Sequence, residues 1–132
     1  MRILPLLLVF FLSACNLGTS AVEITPEPTP DLPRVEIREP ANNQEVFEGT
    51  EFSFDVVARD ENPGVAYIEL RIDDVTLDQV SPTEGEFVPV LRVSIPWRAS
   101  GAGLHVIEAI AYRPDGTPSD PAIINLQVLE RE

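Results

Sequence analysis

The chain carries one cysteine, one histidine and 22 acidic side chains among its 132 residues. These are the groups that could do chemistry. Cys15 has no second cysteine to pair with, so no disulfide forms within the chain. His105 is equally alone. Metal binding or acid-base catalysis would need partners that a lone histidine does not supply. Asp60-Glu61-Asn62 and Asp73-Asp74 are short acidic runs. Asp60, Asp73 and Asp74 offer hard oxygen ligands that would suit calcium if their loops converged at one end of a fold. No EF-hand spacing is present, and Asp and Asn are also common turn formers because their side chains bond the local backbone. The expectation is therefore no metal and no cofactor, with calcium as a side reading. No Ser-His-Asp order, Gly-rich phosphate loop or Cys-x-x-Cys motif occurs. With so many carboxylates, pairs of them mean little. The sequence reads as a protein that is not an enzyme.

The place of Cys15 is informative. Met1 and Arg2 make a charged start, residues 3–12 are apolar apart from one proline, and Ser13 and Ala14 are small. That order predicts a secretory signal peptide over residues 1–14. The run is too short for a bilayer, which takes about 20 residues. Leu12-Ser13-Ala14-Cys15 resembles the lipobox of bacterial lipoproteins. The resemblance implies that the Cys15 sulfur, a nucleophile, receives a diacylglycerol, that the preceding peptide bond is cut, and that the new amine is acylated, palmitate being such an acyl group. The alternative is an ordinary signal peptide cut near Ala14. With lipidation, the expected location is a cell membrane, anchored by lipid and facing the outside or a periplasm. Two or more acyl chains suffice for stable anchoring.

All nine basic residues are arginine, and the net charge is −13. Phosphate backbones would repel such a chain, so no nucleic-acid partner is expected. Residues 15–33 hold the cysteine and then a Pro-rich tether, NLGTSAVEITPEPTPDLP. No apolar periodicity runs through it, and its prolines favour an extended polyproline conformation. It reads as a spacer. A docking peptide for a proline-recognising groove is the sharper alternative.

From Arg34 the pattern changes to period two. RVEIRE (34–39) alternates, and PANNQ turns. In EFSFDVVARD (51–60), Phe52, Phe54, Val56 and Ala58 face inward. ENPG turns, with Gly64 supplying positive φ. In VAYIELRID (65–73), Ala66, Ile68, Leu70 and Ile72 are the buried row, with Tyr67, Glu69 and Arg71 opposite. Asp73-Asp74 turns into VTLDQV (75–80), a short candidate edge strand. FVPVLRVSIPW (87–97) places Phe87, Leu91, Val93, Ile95 and Trp97 in one register. GLHVIEAIAY (103–112) is a long strand, and AIINLQVLE (122–130) buries Ile124, Leu126 and Val128. About seven strands in roughly 100 residues, with short turns and no helix, predict an all-β antiparallel sandwich as a single domain over residues 34–132.

The order Pro40-Ala41-Asn42, Gly49, Ala58-Arg59-Asp60, Gly64-Val65 and Ile68-Glu69-Leu70-Arg71-Ile72-Asp73 resembles bacterial immunoglobulin-like domains. So does the continuation through Phe87, Trp97, Gly103-Leu104-His105, Ala109-Ile110-Ala111 and Asp115-Gly116. The resemblance covers residues 34–130. Asn43 and Asp74 stand where the pattern has glycine, and both tolerate left-handed backbone. Val56 and Ile107 would fill the places of the antibody-type cysteines. His105 falls near where such domains place a corner tyrosine whose ring bonds nearby backbone. The family implies a spacer, stalk or binding module and no single activity.

Leu104, Val106, Ile110 and Tyr112 give the long strand a second apolar face. Either loops or the tether cover it, or it is an exposed patch for self-association or a partner. The expected function is a non-catalytic interaction module for protein or glycan, held at the membrane through its N-terminal lipid. The alternative is a structural spacer or accessory subunit of an envelope complex. A hydrolase is a third, weaker reading.

Overall fold

The computed structural model describes Gly18 and residues 23–132. The signal-peptide and Cys15 readings lie outside the described residues. Residues 23–33 form no helix or strand. Leu32 and Pro33 nevertheless pack onto the body of the molecule, so its contacts begin just before the expected boundary at 34.

Eight strands follow: β1 (Arg34–Glu39), β2 (Gln44–Phe47), β3 (Glu51–Arg59), β4 (Tyr67–Ile72), β5 (Val75–Val80), β6 (Val90–Arg98), β7 (Gly103–Tyr112) and β8 (Ala122–Leu129). They form two sheets, ordered β1-β3-β6 and β2-β8-β7-β4-β5. The expected sandwich is present. Its pairs are antiparallel except β2 with β8, which run parallel from Gln44↔Leu126 to Phe47↔Leu129.

Alternation makes the core. Phe54, Val56 and Ala58 of β3 and Leu91, Val93 and Ile95 of β6 face Ile68 and Leu70 of β4, Ile107, Ala109 and Ala111 of β7, and Ile124, Leu126 and Val128 of β8. Successive side chains of a strand point to opposite faces, so each strand supplies every second residue. Val56 and Ile107 are fully buried at the expected cysteine-replacing places. Phe52, Phe54 and Trp97 close one end, with ring centroids 5.2 to 5.9 Å apart.

The turns follow their residues. Asp73 (φ 50°) and Asp74 (φ 66°) both take positive φ. A two-residue hairpin needs this of both central residues if its twist is to match the strands. Asn43 has φ 64°. Gly64 has φ 137°, and a Cβ there would lie 3.0 Å from the Phe87 ring and 3.1 Å from the Val88 carbonyl oxygen. The peptide bonds before Pro40 and Pro63 are cis.

Two expectations change. The segment after PANNQ holds a strand, β2, that period-two reading missed. Only Val46 of its four residues is buried, and its partner lies about 80 residues away. Phe87 is not in the β6 register; it is exposed. The chain before Pro89 leaves the sheet so that Val88 can bridge Val65.

Candidate functional site

The outer face of the five-stranded sheet carries the second apolar row of β7. The structure splits that row. Leu104 and Val106 are 61% and 41% exposed, and Ile123 on neighbouring β8 is 54% exposed. Pairing of Val106 with Asn125 and Glu108 with Ile123 sets these side chains on one face, since directly paired residues share a face. Ile110, by contrast, is buried, and Tyr112 is half-buried. The expected four-residue patch is corrected accordingly. Tyr112 stacks on Tyr67 with centroids 4.6 Å apart, and Glu69 lies directly opposite Ile110. Those neighbours close the surface at this end.

Glu69, on the face opposite the inward row of β4, is nevertheless buried. Burial by itself pushes its carboxyl pKa up. The hydrogen bonds it accepts from Arg71, Gln79 and Thr76 outweigh burial and hold it below the usual range. Gln79 Nε2 donates to Oε2 at 2.9 Å, and Arg71 Nε donates to Oε1. Arg71 also reaches Glu108 at 3.6 Å. Cross-strand pairing creates this cluster: Glu69 is level with Gln79, and Arg71 with Thr76. No local sequence signal announces the contacts with Thr76, Gln79 and Glu108, because these lie on other strands than Glu69 and Arg71.

The three acidic candidates for calcium are not brought together. Asp60 follows β3 and binds Arg113, just past the end of β7. Asp73 follows β4 and accepts the Val106 N–H near the start of β7, at 2.9 Å. At about 3.3 Å per residue, the strand between them is roughly 20 Å long. Asp74 is the exposed second residue of the Asp73 turn. Among the described residues, no group of three or more His, Cys, Asp or Glu side chains is placed to hold a metal ion.

Asp73 also anchors His105. Its Oδ2 lies 2.6 Å from Nδ1, and the other ring nitrogen lies 2.5 Å from the Gly101 carbonyl oxygen. The Gly101 carbonyl, then the Asp73 carboxylate, raise the imidazole pKa against the opposing effect of burial. The ring thus bonds nearby backbone, as a corner residue does. Both nitrogens face acceptors, an arrangement that favours the doubly protonated ring. Ser100 lines the same cleft as His105 and Asp73. With Nε2 engaged by Gly101, the imidazole is not directed to take a proton from that hydroxyl.

No protein-family model matches the sequence, and neither does any curated protein. Solved structures do match. The fibronectin(III)-like modules of Clostridium thermocellum CbhA align with a TM-score of 0.63 at 19% identity, covering 78% of this chain and 50% of that one. The SrpA adhesin of Streptococcus sanguinis aligns at 0.55 and 17%, covering 79% and 60%. A PKD domain of an M14-like peptidase from a Thermoplasmatales archaeon aligns at 0.54 and 15%, covering 74% and 92%. The chain thus spans about half the length of the CbhA structure. At such identities the likeness concerns the fold, which is immunoglobulin-like.

Proposed function

We propose that this chain is a lipid-anchored, extracytoplasmic lipoprotein whose immunoglobulin-like domain is a non-catalytic binding module for protein or glycan. The observation that carries the binding role is the exposed group Leu104, Val106 and Ile123 on the outer face of β7 and β8. Adjacent exposed apolar side chains on a sheet face favour a contact surface. The likeness to an adhesin is compatible with that role. The anchor rests on the lipobox resemblance at Cys15, and the extended stretch before β1 would hold the domain off the surface. The non-catalytic reading takes its support from the engagement of both His105 nitrogens.

The module is tested with Leu104→Glu/Val106→Glu in the full chain. Oligomeric state by size-exclusion chromatography and retention of envelope proteins and glycans are compared with wild type. Loss of association at unchanged melting temperature supports the reading. A monomer that retains nothing, in wild type as in the variant, counts against it. Mass spectrometry of native protein tests the anchor: a thioether-linked diacylglycerol on an N-terminal Cys15 is expected, and a free thiol behind an intact leader excludes it.

The spacer reading has its own support in the extended segment and the internally satisfied polar groups; no buried side-chain nitrogen or oxygen among the described residues lacks a partner. It expects the double-glutamate variant to be phenotypically silent in the cell.

A further inference from the structure

β5 is one outer strand of the five-stranded sheet and pairs only with β4 among the described residues. Apart from the Gln79 N–H, which Asp78 Oδ1 accepts at 2.8 Å, its second row of backbone N–H and C=O groups is therefore open, a template for another strand. The other three sheet edges are poorer templates. β6 contains Pro96, β1 carries Arg34 and Arg38, and β2 is four residues long. β5 has six residues, no proline and no basic side chain.

The opposing sheet does not cover it. β6 packs over β4, and β5 overhangs with Val75 and Leu77 exposed. Leu77 is the extra residue where the β4 register shifts from Leu70↔Asp78 to Arg71↔Thr76. Such a bulge re-aims a side chain. Here it sets Leu77 on a cleft of about 260 Å³ shared with Ile72, Val75, Trp97 and His105. An open edge beside a cleft of mixed apolar and polar lining combines the two requirements for strand addition: main-chain hydrogen bonds for affinity and a pocket for alternate side chains.

Charge identifies the occupant. From Ile72 to Leu91 the chain carries Asp73, Asp74, Asp78, Glu84 and Glu86 and no Lys or Arg. Arg71, the adjoining arginine, is already held by Glu69 and Glu108. A second copy would bring its own acidic edge against this one, and like charges directly opposite are destabilising. A net charge of −13 opposes that pairing further. An extended cationic segment meets no such penalty.

We propose that β5 is a strand-addition site for an extended polypeptide in which Lys or Arg alternates with apolar residues. The apolar side chains enter the Leu77 cleft, on the face that Asp78 shares with Leu70, and the basic ones reach the acidic turns at either end. The proposal rests on the reading of the chain as an interaction module and adds a surface distinct from the Leu104 patch.

The probe is a synthetic eight-residue peptide alternating arginine and valine, titrated into the 15N-labelled full chain in detergent. The control peptide has the same sequence with alternate residues N-methylated, which keeps the charge and removes half of the donors. Amide shifts and slowed hydrogen exchange concentrated on residues 75–80 are expected. Asp78→Lys should bind at least tenfold more weakly, as should the control peptide. Equal binding of the control would show attraction by charge alone and overturn strand addition. Absence of binding, or shifts centred on Leu104 and Val106, would overturn it as well. Because the peptide probes only the edge, its failure leaves the Leu104 patch standing; the interaction reading falls on the double-glutamate test instead.

Discussion

Arg113 holds Asp60 with two parallel hydrogen bonds, Nε to Oδ2 at 2.8 Å and Nη2 to Oδ1 at 3.0 Å, across 53 positions of sequence. The Gly64 N–H adds a third to Oδ2, at 3.2 Å. The arginine also lies 3.4 Å from Asp31, which ties the end of the extended segment to the sandwich. Planar guanidinium and carboxylate groups match in this bidentate way. The arginine, assisted by the Gly64 N–H and opposed by burial, lowers the Asp60 pKa. Its folded pKa thus lies below the unfolded value of about 3.9. The resulting stability is present above pH 4 and is lost as pH falls through the folded value. Melting temperature should drop between pH 4 and pH 2, and Asp60→Asn should flatten that drop. Arg113→Met at pH 7 leaves the buried carboxylate uncompensated, at a cost of about 3 kcal/mol or more. Adding Asp60→Asn to Arg113→Met should recover part of that loss, as read by chemical denaturation.

His105 predicts the opposite slope. Its folded pKa is raised by the Gly101 carbonyl and Asp73 above the unfolded value of about 6.5. Its contribution is complete below pH 6.5 and fades as pH rises through the folded value. An NMR titration of the ring should give a midpoint above 6.5 that moves down in Asp73→Asn. The alkaline decline in stability should be absent in His105→Gln.

Phe54 is fully buried between Phe52 and Trp97. Phe54→Ala should cost about 3–5 kcal/mol in denaturant melts. Leu104→Ala, at an exposed position, should stay within about 0.5 kcal/mol of wild type.

Gly64 combines a backbone conformation foreign to L side chains with a crowded approach to Phe87 and Val88. Gly64→Ala should destabilise by about 1–3 kcal/mol. Gly49→Ala, with nothing near its missing Cβ, should cost less. Differential scanning calorimetry of the pair separates crowding from backbone strain.

The strands were legible wherever one face is dry and the other wet. β1 and β7 occupy the residues that alternation assigns to them, β5 those that follow the Asp73-Asp74 turn, and β3, β4 and β8 differ by a residue or two at their ends. The hairpin at Asp73-Asp74 was legible from its residue types. The strand β2 was not. Four residues with one buried side chain give no period, and only the parallel partner β8 makes them a strand.

The candidate site was legible in part. Leu104 and Val106 stand on the surface, one of the two outcomes the second apolar row left open, whereas Ile110 does not. Nothing near Ile110 in the chain foretells its burial, because the Tyr67–Tyr112 stack and Glu69 come from pairing between β4 and β7. The acidic pairs Asp60 and Asp73-Asp74 looked alike as turn carboxylates. Folding gave Asp60 an arginine and Asp73 a histidine, at opposite ends of β7.

By itself the sequence determined the β class, the inward rows and the turns, because period-two burial and left-handed backbone are properties of neighbouring residues. Tertiary structure alone decided which outward residues are covered and which carboxylates are paired. Those outcomes depend on strands that meet only after folding, at separations over which a linear pattern carries no signal.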